Sequence, residues 1–299
     1  MRTYSIKDLE NFTGIKAHTI RIWEQRYSLL SPNRTDTGYR FYNDEDLKKI
    51  LSISVLLKSG IKISKIASLP KEDVVHELSK IDNSTTVNDS KIELCITNLL
   101  TGALNFDDKI IESELSNFQA TFTPFEFISK IIYPLLSRIG LMWEIDEITP
   151  LQEHFLSNRI RQKLFVEMDK LQHLDKEEFD FVLFLPETET HEIGLLVANY
   201  LMLSANIKTM YLGPQVPVSN LCVMLAEKKI KNAFGFIFIS PGKEKFKKVI
   251  RMLEENCKET NFYWSGSAPL FESIKLGKNQ RFIPNIEIFN QEIIQAHNG

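Results

Sequence analysis

From Glu178 onward the chain is a succession of short apolar runs, FVLFLP, IKTMYLG, FGFIFIS and FYWSGS, each closed by Gly, Pro or Ser. Stretches of helical length lie between them. The runs do not alternate apolar with polar residues, so both faces of each strand must be covered. Buried strands alternating with helices predict an α/β doubly wound parallel sheet of the Rossmann or flavodoxin-like type over residues 176–299. RFIPN offers a weaker fifth strand.

The preceding residues lack this texture. Residues 91–175 read as four helical segments, near 91–103, 107–120, 124–142 and 150–173, with Pro124 and Pro150 at helix starts, where proline is tolerated. A four-helix bundle follows. Residues 81–90 contain the polar run DNSTTVND, the best linker candidate. Residues 1–80 read as short helices around a turn-rich segment, SPNRTDTGYRFYN, predicted to form a loop and a β-ribbon. Ser5 is the expected cap of the first helix, with Gly14 its stop, and Asp44 the expected cap of the third. The expected fold is therefore multidomain: a helical winged helix-turn-helix head, a bundle, then the sheet.

Length and composition fit this division. The chain has 299 residues, 43% hydrophobic and 25% charged, ordinary values for globular protein. No apolar run reaches the roughly 18 residues of a membrane span, and the N-terminus lacks a signal-peptide core, so a cytoplasmic location is expected. Cys95, Cys222 and Cys257 are widely spaced and are expected as buried thiols rather than a zinc site. Residues 1–76 carry 13 Lys and Arg against 9 Asp and Glu, although the whole chain is net −3. A basic head on an acidic body fits a local nucleic-acid surface.

Three constellations carry chemistry. In KAHTIRIWEQRY, His18, Thr19, Arg21 and Arg26 can face out while Ile20 and Trp23 face in, as a recognition helix requires. Arg34 and Arg40, beside Tyr39 and Tyr42, suit a wing gripping phosphates. After the first strand, PETETHEIG places Glu189, His191 and Gly194 at a strand-to-helix loop, where doubly wound sheets bind ligands. A neutral imidazole is a common metal ligand, and a nearby carboxylate such as Glu189 orients its ring and raises its basicity. In the bundle, Trp143 is followed by nine residues and then Glu153-His154.

The run TIRIWEQRYSLLSPNRTDTGYRFYNDEDL closely resembles the MerR family signature, with Gly38, Tyr39, Arg40 and Tyr42 matching its wing, over about residues 3–70. The resemblance implies a winged helix-turn-helix that binds double-stranded operator DNA as a dimer. WEQRY is similar to the subgroup that carries cobalamin-binding domains. The Glu-x-His-x-x-Gly spacing resembles the cobalamin motif Asp-x-His-x-x-Gly in its glutamate form, which implies His191 as the lower cobalt ligand and Gly194 as room for a bulky group. Ser240 matches that family's serine after the third strand, and Ser265-Gly266 stands where a glycine pair is usual, both implied to contact the cofactor's nucleotide tail. Trp143 with Glu153 and His154 resembles the motif of adenosylcobalamin-dependent photoreceptor regulators, which implies a site on the upper axial group. Glu144 stands where some light-sensing relatives have histidine. Together these imply a transcription regulator, not an enzyme, that senses adenosylcobalamin or methylcobalamin between bundle and sheet, responds to light, and works as a homo-oligomer, dimer or tetramer. The alternative is a MerR-type regulator whose sensor has lost the cofactor and binds a protein partner.

Overall fold

The computed structural model describes residues 4–34, 40–82, 89–144, 148–171, 178–187, 189–238 and 243–298. The chain forms two compact units, residues 1–159 and 160–299.

The first unit opens with α1 (Ile6–Thr13), capped by Ser5 and Asp8 in a reciprocal capping box and ended by Gly14 in the left-handed conformation. A tight turn leads to α2 (Ala17–Tyr27). Two short antiparallel strands follow, β1 (Asn33–Arg34) and β2 (Arg40–Phe41). The next helix, α3 (Asp44–Lys58), is capped by Asn43 rather than Asp44, because Asn43 and Asp46 form the capping box. Two further helices are α4 (Ile63–Ser68) and α5 (Lys71–Asp82). The second was not foreseen, although Pro70 stands just before its start. Leu9, Phe12, Ile20, Leu47, Ile50 and Leu51 are buried at its core.

The predicted linker lies mostly at 83–88, outside the described residues. The bundle then comprises α6 (Asp89–Asn105), α7 (Asp108–Thr121), a long helical segment and α10 (Pro150–Leu171), whose residues from 160 onward belong to the second unit. The long segment is α8 (Pro124–Phe127), a π-helical turn (Ile128–Ile132) and α9 (Tyr133–Glu144). Pro134 cannot donate to a carbonyl four residues back, and the widened turn sits just ahead of it.

Head and bundle are packed together in this unit. Helix α3 lies against α6, and α1 against α9. At this contact Glu93 of α6 is buried, with only 4% of its side chain exposed. Arg138 of α9 donates to both its carboxylate oxygens, at 2.7 and 2.8 Å, and Lys58 of α3 donates to one of them.

In the second unit the sheet is parallel throughout. Its strands are β3 (Phe181–Pro186), β4 (Thr209–Val216), β5 (Asn232–Ile237), β6 (Asn261–Gly266) and β7 (Gln280–Phe282), in the order β4-β3-β5-β6-β7. All five predicted strands are present. Every residue of β3 is buried, as its unbroken apolar run requires. The intervening helices are α11 (Ile193–Ser204), α12 (Val218–Lys228), α13 (Lys243–Asn256) and the short α14 (Ala268–Glu272). Trp264 anchors one face of the sheet, fully buried against Phe184 and Phe246, its indole N–H on Gln280. The three cysteines are buried thiols. Among the described residues, no helix is long and apolar enough to cross a membrane.

Candidate functional site

On α2, the helix expected to carry recognition, Ile20 is buried while His18, Arg21 and Arg26 are exposed and Thr19 is half-buried. Trp23, expected inward, is half-buried, and Ile22 stands out in solvent. Lys16, the residue before α2, offers no capping side chain. Glu10 of α1 supplies the missing acceptor, taking the Ala17 N–H at 3.1 Å and Lys16 Nζ at 3.0 Å. That reach across the turn fixes how α2 leaves α1.

The wing residues divide. Arg34 is exposed on β1. Tyr39 lies outside the described residues. Tyr42, expected on the phosphate-facing surface, is wholly buried. Its backbone exchanges hydrogen bonds with Tyr4, both at 2.8 Å, and its hydroxyl donates to Glu24. Burial, followed by the neighbouring Glu24, pushes that hydroxyl well above its ordinary range. Arg40 lies 3.6 Å from the same carboxylate. Glu24, not evident from sequence pattern, therefore ties β2 and Tyr42 to α2.

In the bundle, Trp143 is the last residue but one of α9, with 57% of its surface exposed. Thr149 caps α10 through Gln152, and Gln152 also donates to the Leu104 carbonyl at 2.7 Å. One turn on, Glu153 Oε2 lies 2.7 Å from His154 Nδ1 and Ser157 donates to Glu153 Oε1. His154 is exposed.

In the sheet unit, consecutive strands β3 and β4 are neighbours, and β5 joins on the other side of β3. The carboxyl ends of β3 and β5 thus flank the point where strand order reverses, the ligand crevice of such sheets. Glu189 sits there, 1% exposed. Its Oε1 accepts the N–H groups of Thr190 and His191, each at 2.8 Å, and His191 Nδ1 at 2.6 Å. Its Oε2 accepts the Phe238 N–H beyond β5 at 2.8 Å. An ionised carboxylate can only accept, so Nδ1 carries the proton and the imidazole lone pair falls on Nε2. The His191 side chain is 45% exposed, and the exposed Phe238 ring stands 5.5 Å from it. A half-open imidazole oriented by a buried carboxylate has the geometry of a metal ligand. Phe238 went unnoticed in the sequence.

Two glycines are required by packing within this unit. The space left by Gly194 is filled by the Phe236 ring, which a Cβ there would meet at 2.4 Å. Gly194 therefore seats α11 on β5. At Gly266, φ is +126° and a Cβ would lie 1.8 Å from the Ile237 carbonyl oxygen. Ser265 is half-buried beside it, and Ser240 lies outside the described residues.

Two family models match parts of the chain. The family described as MerR HTH family regulatory protein matches residues 4–72, and the B12 binding domain matches residues 96–166. The chain joins a MerR head to a B12-binding domain. It is homologous to the HTH-type transcriptional repressor CarH of Myxococcus xanthus, 28% identical over 222 residues, 74% of each chain. CarA of the same organism, also an HTH-type transcriptional repressor, is 24% identical over 78% of this chain and 76% of its own. The likeness to the regulator MlrA of Escherichia coli, 38% over 69 residues, covers 23% of this chain and 28% of that one. A monomethylamine corrinoid protein of Methanosarcina barkeri superposes with a TM-score of 0.53 at 18% identity, covering 69% of this chain and 96% of its own. That last likeness concerns the fold alone.

Proposed function

We propose that this protein is a cobalamin-sensing, DNA-binding transcriptional regulator, with His191 the lower ligand of cobalt. The observation that carries the reading is the His191–Glu189 pair at the switch point of the sheet, on a chain with a MerR head. The repressor names of the two Myxococcus relatives make repression the expected sign.

In this reading His18, Thr19, Arg21 and Arg26 approach base edges, and Arg34 approaches phosphate. Arg40 serves through Glu24 as well as by its charge. Two copies of the head match two operator half-sites. Glu189 would hold the His191 ring for cobalt, while Trp143, Glu153 and His154 form the bundle motif that resembles adenosylcobalamin-dependent regulators. Adenosylcobalamin is the preferred form, and when bound it supplies a cobalt–carbon bond that light can break. Glu144 follows Trp143 in the sequence, and a carboxylate there would be a weaker ligand for cobalt than imidazole. The protein changes oligomeric state with the cofactor, since a ligand shifts an equilibrium only by its differential affinity for the two states. It is a regulator and not an enzyme.

The deciding experiment is reconstitution of the full chain with adenosylcobalamin in darkness and after illumination, followed by absorption and light scattering. The expected result is a coloured protein with one cobalt per chain, colourless as His191→Ala, whose mass changes on illumination. Unchanged affinity in His191→Ala would overturn the ligand assignment. Identical masses for apo, dark and illuminated protein would overturn the oligomer switch.

A further inference from the structure

Glu192 follows His191 directly and stands at the N-cap position of α11, yet its side chain does not cap that helix. It turns toward β4 instead. Tyr211 donates its hydroxyl to Glu192 Oε1 at 2.8 Å, and an Arg161 guanidinium nitrogen lies 3.5 Å from Oε2. The carboxylate is 13% exposed and the arginine 34%. Burial, followed by the hydrogen bond to Glu192, raises the Tyr211 hydroxyl far above its ordinary range, so it remains a donor.

The strand is shaped for this contact. Leu183 pairs with Tyr211, but Phe184 pairs with Gly213, so Leu212 is an extra residue in β4. Such bulges re-aim side chains beside sites. Gly213 adopts φ +75°, and a Cβ built there would lie 3.6 Å from Glu192 Oε1.

His191 is thus held from both sides. Glu189 fixes the ring and the entry to the loop, and Glu192 fixes the exit. We propose that Tyr211 and Arg161, acting through Glu192, are positioning residues that set the placement of His191 on cobalt. The inference rests on the ligand assignment made above. Tyr211 supplies the direction through a short bond, and Arg161 supplies charge at longer range.

The test uses the full chain, with hydroxocobalamin and adenosylcobalamin as probes. Four variants are compared: Tyr211→Phe, Glu192→Met, Glu192→Gln and His191→Ala. Affinity is read by titration. Histidine ligation is read in the reduced Co(II) protein by electron paramagnetic resonance with nitrogen-15 histidine, which separates protein nitrogen from the cofactor's own base. Tyr211→Phe and Glu192→Met should each weaken binding by about tenfold, the lower end of what outer partners of a metal-ligating histidine cost. Both should also lower the histidine-ligated fraction at saturating cobalamin. Glu192→Gln keeps an acceptor for Tyr211 and should restore that fraction.

Wild-type affinity and full nitrogen-15 coupling in Tyr211→Phe and Glu192→Met would overturn the positioning role. If His191→Ala alone lost coupling, the ligand assignment would stand without it. If His191→Ala kept the coupling, the ligand assignment itself would fall, and this inference with it. Should Glu192→Met fail to fold, Tyr211→Phe removes a single oxygen from a ring that keeps its shape and carries the test alone.

Discussion

Glu93 and Glu189 are both buried carboxylates, and they are satisfied in opposite ways. Glu93 faces two cations on neighbouring helices, Arg138 and Lys58. Glu189 faces backbone N–H groups and one imidazole. The first arrangement joins large pieces of chain and fixes their shape. The second aims a single ring. A buried acid opposed by full charges is costly to interrupt, because the cations left behind lose their partner. One opposed by weaker donors governs orientation more than cohesion.

The largest effect should come from Glu93→Ala. Arg138 would be stranded, and the head-and-bundle unit should lose about 3–5 kcal/mol in denaturant unfolding of the full chain. A loss below ~1 kcal/mol would erase the distinction between the two sites. Acid should act in the same place. Burial alone would raise the Glu93 pKa, but the hydrogen bonds and charges of Arg138 and Lys58 outweigh it and hold the group below its ordinary value of 4.5. Its contribution is then complete above that value and is lost as pH falls through the lowered one. Glu93→Gln should flatten the acid limb of the stability curve, and an unchanged limb would count against the triad.

Next in size is Glu189→Ala. Freed from its carboxylate, His191 can rotate, and cobalamin affinity should fall by about 10–100-fold. Folding stability should fall by about 1–3 kcal/mol, the cost of leaving buried donors without acceptors. If stability fell as far as in Glu93→Ala while affinity held, Glu189 would be structural and the contrast would collapse. The smallest effect belongs to Tyr42→Phe. Losing one bond to Glu24 should cost about 1 kcal/mol of stability. It should weaken operator binding in gel shift through Arg40, with little change in salt slope because the arginine remains. A slope reduced by a full unit would instead place Tyr42 itself at a phosphate.

The sequence made the local part of this molecule legible. Strands showed as bounded apolar runs, and caps such as Ser5–Asp8 lie within one turn of their partners. His191 and Glu189 could be paired on paper because two positions separate them. The residues that escaped notice act over distance. Glu24 meets Tyr42 across 18 positions, Glu93 meets Arg138 across 45, and Glu189 meets Phe238 across 49. No periodicity reports such partners, since they exist only once the helices and strands have packed. The packing of Gly194 escaped for the same reason. Its spacing was visible, but the ring that occupies its space comes from β5.

That ring has a consequence for how the chain can vary through descent. Gly194 faces Phe236, and Gly235 faces Trp264 at 2.4 Å from where a Cβ would stand. Each pair is a small residue exchanged for a large one across a helix–sheet or strand–strand contact. Neither member can drift by itself: a methyl group on the glycine collides with the ring, and a smaller ring leaves a void. Lineages should therefore replace these residues two at a time or not at all. Alanine at 194 should be found beside a smaller residue at 236, so the glycine of the motif can stay fixed by packing even where a lineage no longer holds the cofactor.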